Sequence, residues 1–237
     1  MADLFVRAAN GDSAVGASTI VFAANGSGCD LITVFPCFNK GASPDSVSTV
    51  TYASSSLTFK DFSSSASIRI EGWFKTGTFT GTTNVVVTFG AALNHSCTAG
   101  AQLFTGTNQS TPLGTAQKNA SSAGNSTITL TSIGAANSGC DAAASGNSVT
   151  VPTQTTSWID NNQSIGGGGS HAAGNASRTF QWTIGGEWAA IAFEVQASTA
   201  AGGAVARYTV PTPLTGIGVG NRLFGDRLTY GILDEAF

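Results

Sequence analysis

Few side chains in this sequence are of a type that does chemistry. His95 and His171 are the only two that ordinarily titrate near neutral pH, so they are the candidates for a general base. His95 stands two residues before Cys97, and a Cys/His nucleophile pair needs the two within hydrogen-bond reach, with a third group orienting the base. The sequence supplies no such orienting partner, and the plain reading is a loop histidine beside a buried thiol. Zinc needs ligand pairs at close, regular spacing; Cys29 and Cys37 are eight positions apart, and Cys97 and Cys140 stand alone. Asp12, Asp141 and Asp160 are isolated from one another, which argues against calcium. No metal, no cofactor and no catalytic residue is therefore expected.

Two aromatic and acidic combinations remain. Glu71 with Glu187 or Glu194 could meet across a sheet, beside Trp73 and Trp188, in the paired-carboxylate pattern of a glycosidase. The plainer alternative is outward charges on two strands, with the tryptophans in the sandwich or at a subunit contact. A separate reading uses Trp73, Trp158 and Trp188 as stacking platforms of a glycan-binding module on a tail fibre or surface adhesin. The run Gly166-Gly167-Gly168-Gly169-Ser170 has no following Lys-Ser/Thr pair and no helix to aim at phosphate, so it reads as a short linker or loop.

The elements that would position these residues are strands. In residues 68–75, Ile68, Ile70 and Phe74 alternate with Arg69, Glu71, Trp73 and Lys75, the period of a strand with one face in a core. Residues 84–89 are β-branched or aromatic at nearly every position, and a Gly/Thr connection separates the two runs. Residues 18–24 and 126–133 also read as strands, as do 148–151 and 155–159. Residues 30–38 are apolar on both faces, as in a central strand. Residues 4–8 suit a short edge strand closed by an Asn10-Gly11-Asp12 turn. Residues 47–59 read as two short strands around a turn at 53–56. Residues 178–184 and 188–196, joined by Gly185-Gly186, read as a hairpin with Phe180, Trp182, Ile184, Ile191, Phe193 and Val195 inward. Neither a helical period nor an internal repeat is visible. The expected fold is an all-β, antiparallel β-sandwich over residues 18–197, with an N-terminal segment or edge strand at 1–17.

Residues 198–237 differ in texture. They end in an amphipathic, aromatic and charged stretch, from which Arg222, Phe224, Arg227, Tyr230 and Phe237 are expected to serve as assembly contacts on an extended C-terminal arm.

Only 10% of the residues are Asp, Glu, Lys or Arg, against roughly a quarter in an ordinary domain. Isolated β proteins guard sheet edges with charge, so a chain omitting it is expected to pack against neighbours. The net charge of −3 disfavours a nucleic-acid partner. No apolar run approaches the roughly 18 residues of a membrane span. The start Met1-Ala2-Asp3-Leu4-Phe5-Val6-Arg7 lacks the basic and apolar regions of a signal peptide. Cytoplasmic synthesis with free thiols is the expectation.

Several landmarks share an order with a known module. They are Val50-Thr51-Tyr52 with Ser56-Leu57-Thr58, Gly72-Trp73-Phe74, the stretch 81–88, the stretch 108–115, and the closing stretch 181–189. In this order the chain resembles a β-sandwich module of bacteriophage and metagenomic structural proteins. It departs from that pattern at Ala53-Ser54-Ser55 and in its cysteines. The resemblance implies a jelly-roll-like building block, usually without catalytic residues. The expected role is then a non-enzymatic virion protein, a capsid decoration (cement) protein holding the head through subunit contacts. A homotrimer bound to the major capsid protein or another virion protein is the expected state.

Overall fold

A computed structural model describes residues 3–40, 46–161, 164–175 and 177–199. The described residues form strands and no helix. The C-terminal arm from residue 200, with Arg222, Phe224, Arg227, Tyr230 and Phe237, lies outside them.

The first half of the chain supplies β1 (Phe5–Ser13), β2 (Thr19–Asn25), β3 (Leu31–Asn39), β4 (Val47–Tyr52), β5 (Ser55–Ser56), β6 (Thr58–Ser64), β7 (Ile68–Thr76), β8 (Thr82–Phe89) and β9 (Cys97–Phe104). They make one sheet ordered β1-β9-β3-β7-β6 and a second ordered β2-β8-β4-β5. The second half supplies β10 (Gln117–Ser121), β11 (Ser126–Leu130), β12 (Ser138–Ser145), β13 (Val149–Pro152), β14 (Thr155–Asn161), β15 (Gly166–Ala173), β16 (Arg178–Ile184) and β17 (Trp188–Val195). Its sheets are ordered β10-β17-β12-β15-β14 and β11-β16-β13. Every pairing is antiparallel.

The two strand orders are the same order written twice. With β10 to β13 set against β1 to β4, and β14 to β17 against β6 to β9, each sheet of the second half reproduces its counterpart strand by strand. Only β5 is extra. The expected jelly-roll-like sandwich therefore occurs as two successive units, a duplication that the sequence does not display as a repeat.

The four sheets stack. One core lies between the two sheets of the first half, around Ile20, Val34, Val50, Val85 and Val87. Another lies between those of the second half, around Ile128, Val149, Phe180 and Trp182. The third joins the two five-stranded sheets face to face, Phe35, Ile70 and Phe104 meeting Ala142, Ile191 and Phe193. The inner sheets are thus covered on both sides, so β9 and β12 are buried at every residue.

Register shows how the inner sheets meet. Both edge strands carry a bulge at their third residue, Lys60 in β6 and Ser157 in β14. Matching the bulges makes Gly72 equivalent to Gly169, and through the β3 and β12 ladders makes Gln102 equivalent to Phe193. A Cβ on Gly72 would lie 2.6 Å from Phe193, and one on Gly169 would lie 2.7 Å from Gln102. Each unit offers its glycine to the same position of the other. Such reciprocity is the mark of a twofold-related interface, here internal to one chain.

Four sequence expectations are corrected. Residues 10–12 continue β1 rather than turning, because Gly11 lets Phe22 of β2 lie against the strand; an added Cβ would sit 2.7 Å from that ring's Cβ. The glycine run at 166–170 is no linker but the interior strand β15, buried from Gly166 to Ala172. Strands β16 and β17 are no hairpin; Gly185-Gly186 carries the chain from the outer to the inner sheet. The polar stripe of β7 does not face solvent throughout, since Glu71 is 1% exposed. The turn expected near residues 53–56 is present, with Ala53 and Ser54 both at positive φ, as a tight hairpin between β4 and β5 requires.

A methyl group at Gly168 would lie 2.7 Å from the Trp182 ring, whereas nothing is within 4 Å at Gly185. Gly168→Ala should lower unfolding free energy by about 1–3 kcal/mol. Gly185→Ala should stay within about 0.5 kcal/mol. Urea titration of the two variants checks this contrast.

Candidate functional site

Three polar clusters interrupt the apolar layers. The deepest surrounds Asp141 of β12, which is 1% exposed. Its Oδ1 accepts hydrogen bonds from the Ser170 amide and hydroxyl, and its Oδ2 accepts from Trp182 Nε1 at 2.7 Å. Burial pushes the carboxyl up from 3.8 to about 7, against the pull of these donors. Gln102 of the facing sheet donates to the carbonyls of Asp141 and Ser170, tying the two inner sheets together. The carboxyl's hydrogen-bond donors come from β15 and β16, so it ties neighbouring strands and layers together.

The second cluster centres on His171 of β15. Ser157 Oγ lies 2.9 Å from Nδ1, and Asp3 Oδ2 lies 3.4 Å from Nε2. The connectivity is that of a Ser-His-Asp relay. The ring, however, is 6% exposed, and Phe5 stacks flat over it at 3.7 Å. Burial lowers the imidazole's affinity for a proton, and Asp3 offsets this in part. Asp3 Oδ1 accepts from the Phe5 amide and from Ser138 Oγ, which accepts from the Leu4 amide. The group thus fastens the start of β1, a strand of the first unit, to the second. Its register equivalent in the first unit is Phe74, which packs against the apolar cluster that includes Leu113.

The third cluster lies on β7. Glu71 Oε1 accepts from Arg69 Nε at 2.8 Å and from the Val47 amide, while Oε2 accepts from Trp73 Nε1 at 2.9 Å. Trp73 is half-buried and meets Phe59 edge to face at 5.3 Å. With Val47, these side chains line an open cavity of about 190 Å³.

Other sequence candidates are separated. Glu187 accepts from the Ser67 amide, and Glu194 from the Gly134 amide and Asn137, whereas Glu71 accepts from Val47, Arg69 and Trp73. Although burial opposes its charge, the donors of Ser65 and Ser67 hold Glu187 below the usual carboxylate range. Trp158 and Trp188 are 4% and 3% exposed, so of the three proposed stacking rings only Trp73 offers a face. The Cys97 thiol contacts the His95 carbonyl, not its imidazole, and burial pushes the thiol up to about 12. All four cysteines are free and buried. Among the described residues no three His, Cys, Asp or Glu side chains gather as metal ligands.

Sequence reading missed the Ser157–His171–Asp3 group because its members are far apart in the chain and join through a bulge and a strand end. Asp141 left one usable sign, a lone acid inside an Ala- and Gly-rich run. Among known proteins, no family model, curated sequence or solved structure matches the chain.

Asp141 fixes the sign of a pH effect. Between about 4 and 7 the folded state keeps a proton that the unfolded state has released. Its contribution is full below about 4 and is lost as pH rises to about 7. Urea unfolding from pH 4 to 8 should show the wild type losing stability relative to Asp141→Asn as pH rises; parallel profiles would contradict it.

Proposed function

We propose that the chain is a non-enzymatic structural protein of a bacteriophage particle, a head decoration protein that stabilises the capsid through contacts with sister subunits and the major capsid protein. The observation that carries this reading is that Glu71, Asp141 and His171, deeply buried titratable side chains outside the thiols, have their hydrogen-bond partners inside the protein. The chemistry of these centres is cohesion. The thiols add nothing reactive, since burial raises all four.

The surface supports the same reading. Charge is scarce, and Val15, Val21, Phe59, Phe62, Val151 and Ile159 are exposed apolar side chains. Val21, Phe59, Phe62, Val151 and Ile159 lie in strands, and Phe59, Phe62 and Ile159 lie in β6 and β14, the edges of the inner sheets. A subunit that meets neighbours can leave such edges thinly guarded. Jelly rolls recur in viral capsids and in lectins, a likeness of fold. Trimers suit the local threefold positions of a capsid, and the aromatic residues Phe224, Tyr230 and Phe237 supply anchors for the arm.

Deleting residues 221–237 should leave a folded monomer that no longer joins its assembly. Sedimentation of the full and truncated chains with capsids checks this, and full assembly by the truncated chain would remove the arm from the mechanism.

A further inference from the structure

The duplication provides an internal control for deciding which features the fold requires. On the face of β7 turned toward its outer sheet stand Arg69, Glu71 and Trp73. Their register equivalents in β15 are Gly166, Gly168 and Ser170. In the second unit this strip is sealed. Gly168 is so closely covered that an added Cβ would lie 2.7 Å from Trp182 and 3.0 Å from Val149, and Ser170 is tied to Asp141. Gly166 and Gly168 let the outer sheet settle directly on the inner one.

In the first unit the same strip is built of large side chains and stays open. Glu71 takes the place of Gly168, and its carboxylate reaches the amide of Val47, the equivalent of Val149. The outer sheet ends in the two-residue β5, and the neighbouring rings of β6 are left exposed, Phe59 at 44% and Phe62 at 36%. The topology is satisfied by glycines in one unit, so the aromatic and charged strip in the other is not needed to build it.

We propose that this strip is a carbohydrate-binding site, taking one pyranose ring of a glycan against Trp73 and Phe59, with the Arg69–Glu71 pair at its polar edge. The chemistry selects the class. Trp73 is held by its indole nitrogen to Glu71 Oε2, which fixes the plane of the ring before any ligand arrives. A fixed aromatic face with a second ring at 65° to it suits the apolar C–H face of a sugar. Glu71 is buried and pairs with Arg69 at 2.8 Å, so the site has no net charge and its polar edge is the guanidinium, whose other N–H groups suit sugar hydroxyls rather than an anion. The cavity of about 190 Å³ is smaller than the roughly 300 Å³ at which drug-sized pockets begin. It accommodates a single ring, and the exposed Phe62, stacked under the Arg69 guanidinium at 3.8 Å, extends the surface along β6 for a neighbouring residue of the glycan.

The site shares the β6 edge with the assembly reading, so it is tested on the free chain, where Phe59 and Phe62 are exposed. The test is a glycan array probed with the full chain, followed by titration of the best saccharide with the indole N–H signals observed by NMR. Binding should shift the Trp73 indole signal and leave those of Trp158, Trp182 and Trp188 unmoved. Phe59→Ala removes an exposed ring and so should leave the thermal midpoint nearly unchanged while weakening binding by at least about fivefold, and Trp73→Ala should weaken it by at least about tenfold. Trp188→Phe should bind as the wild type does. The proposal is overturned if the wild-type chain binds no saccharide at millimolar concentration. It is equally overturned if Phe59→Ala binds undiminished, or if only acidic peptides or anions shift the Trp73 signal.

Discussion

The molecule depends on how closely two β-sheets can approach when each is already covered on its other face. Stacked sheets lie about 10 Å apart, and the inner pair here must also carry outer sheets, so its strands have no solvent side on which to place polar residues. The composition of those strands follows. β12 reads Ser-Gly-Cys-Asp-Ala-Ala-Ala-Ser and β15 reads Gly-Gly-Gly-Gly-Ser-His-Ala-Ala. These residues have weak strand propensity in isolation. They are selected by the space left for them, with Trp158 and Trp182 filling what the glycines vacate on either side of β15.

That constraint also explains where the polar clusters fall. A carboxyl at Asp141 and an imidazole at His171 are tolerated in the stack because each is met by donors and acceptors from neighbouring strands. The twofold relation between units sharpens the comparison. Phe74 and His171 occupy equivalent positions, as do Glu71 and Gly168, so the same backbone has been fitted with unlike chemistry on its two sides. One unit has turned its outer flank into a sealed wall, the other into an open aromatic cleft.

Periodicity read from the residues recovers strands with one strongly apolar face. Residues 18–24, 126–130 and 178–184 alternate, and they occupy β2, β11 and β16 in the outer sheets. The doubly covered β3 was legible too, since its run of large apolar residues leaves no other reading. What sequence could not reveal were β9, β12 and β15, where the cue of alternation vanishes and small residues imitate a loop. The duplication escaped for a related reason: equivalent positions share backbone geometry and little side-chain chemistry. Of the candidate site, Trp73 and Glu71 were visible as types, but their joining through Arg69 and Phe59 depends on the cross-strand register of β6 and β7.

The face-to-face packing of the two units has a consequence for synthesis. All strands of the first unit are complete once Phe104 has been made, yet the inner face of its five-stranded sheet, with Phe35, Ile70 and Phe104, is covered only by strands that follow Gln117. During translation this apolar face emerges before its cover exists, and a second nascent chain on the same message presents an identical one. Because the two inner faces are twofold equivalents, the wrong partner is shaped much like the right one. The spacing of ribosomes and the speed with which β12 and β17 arrive therefore bear on the yield of native protein.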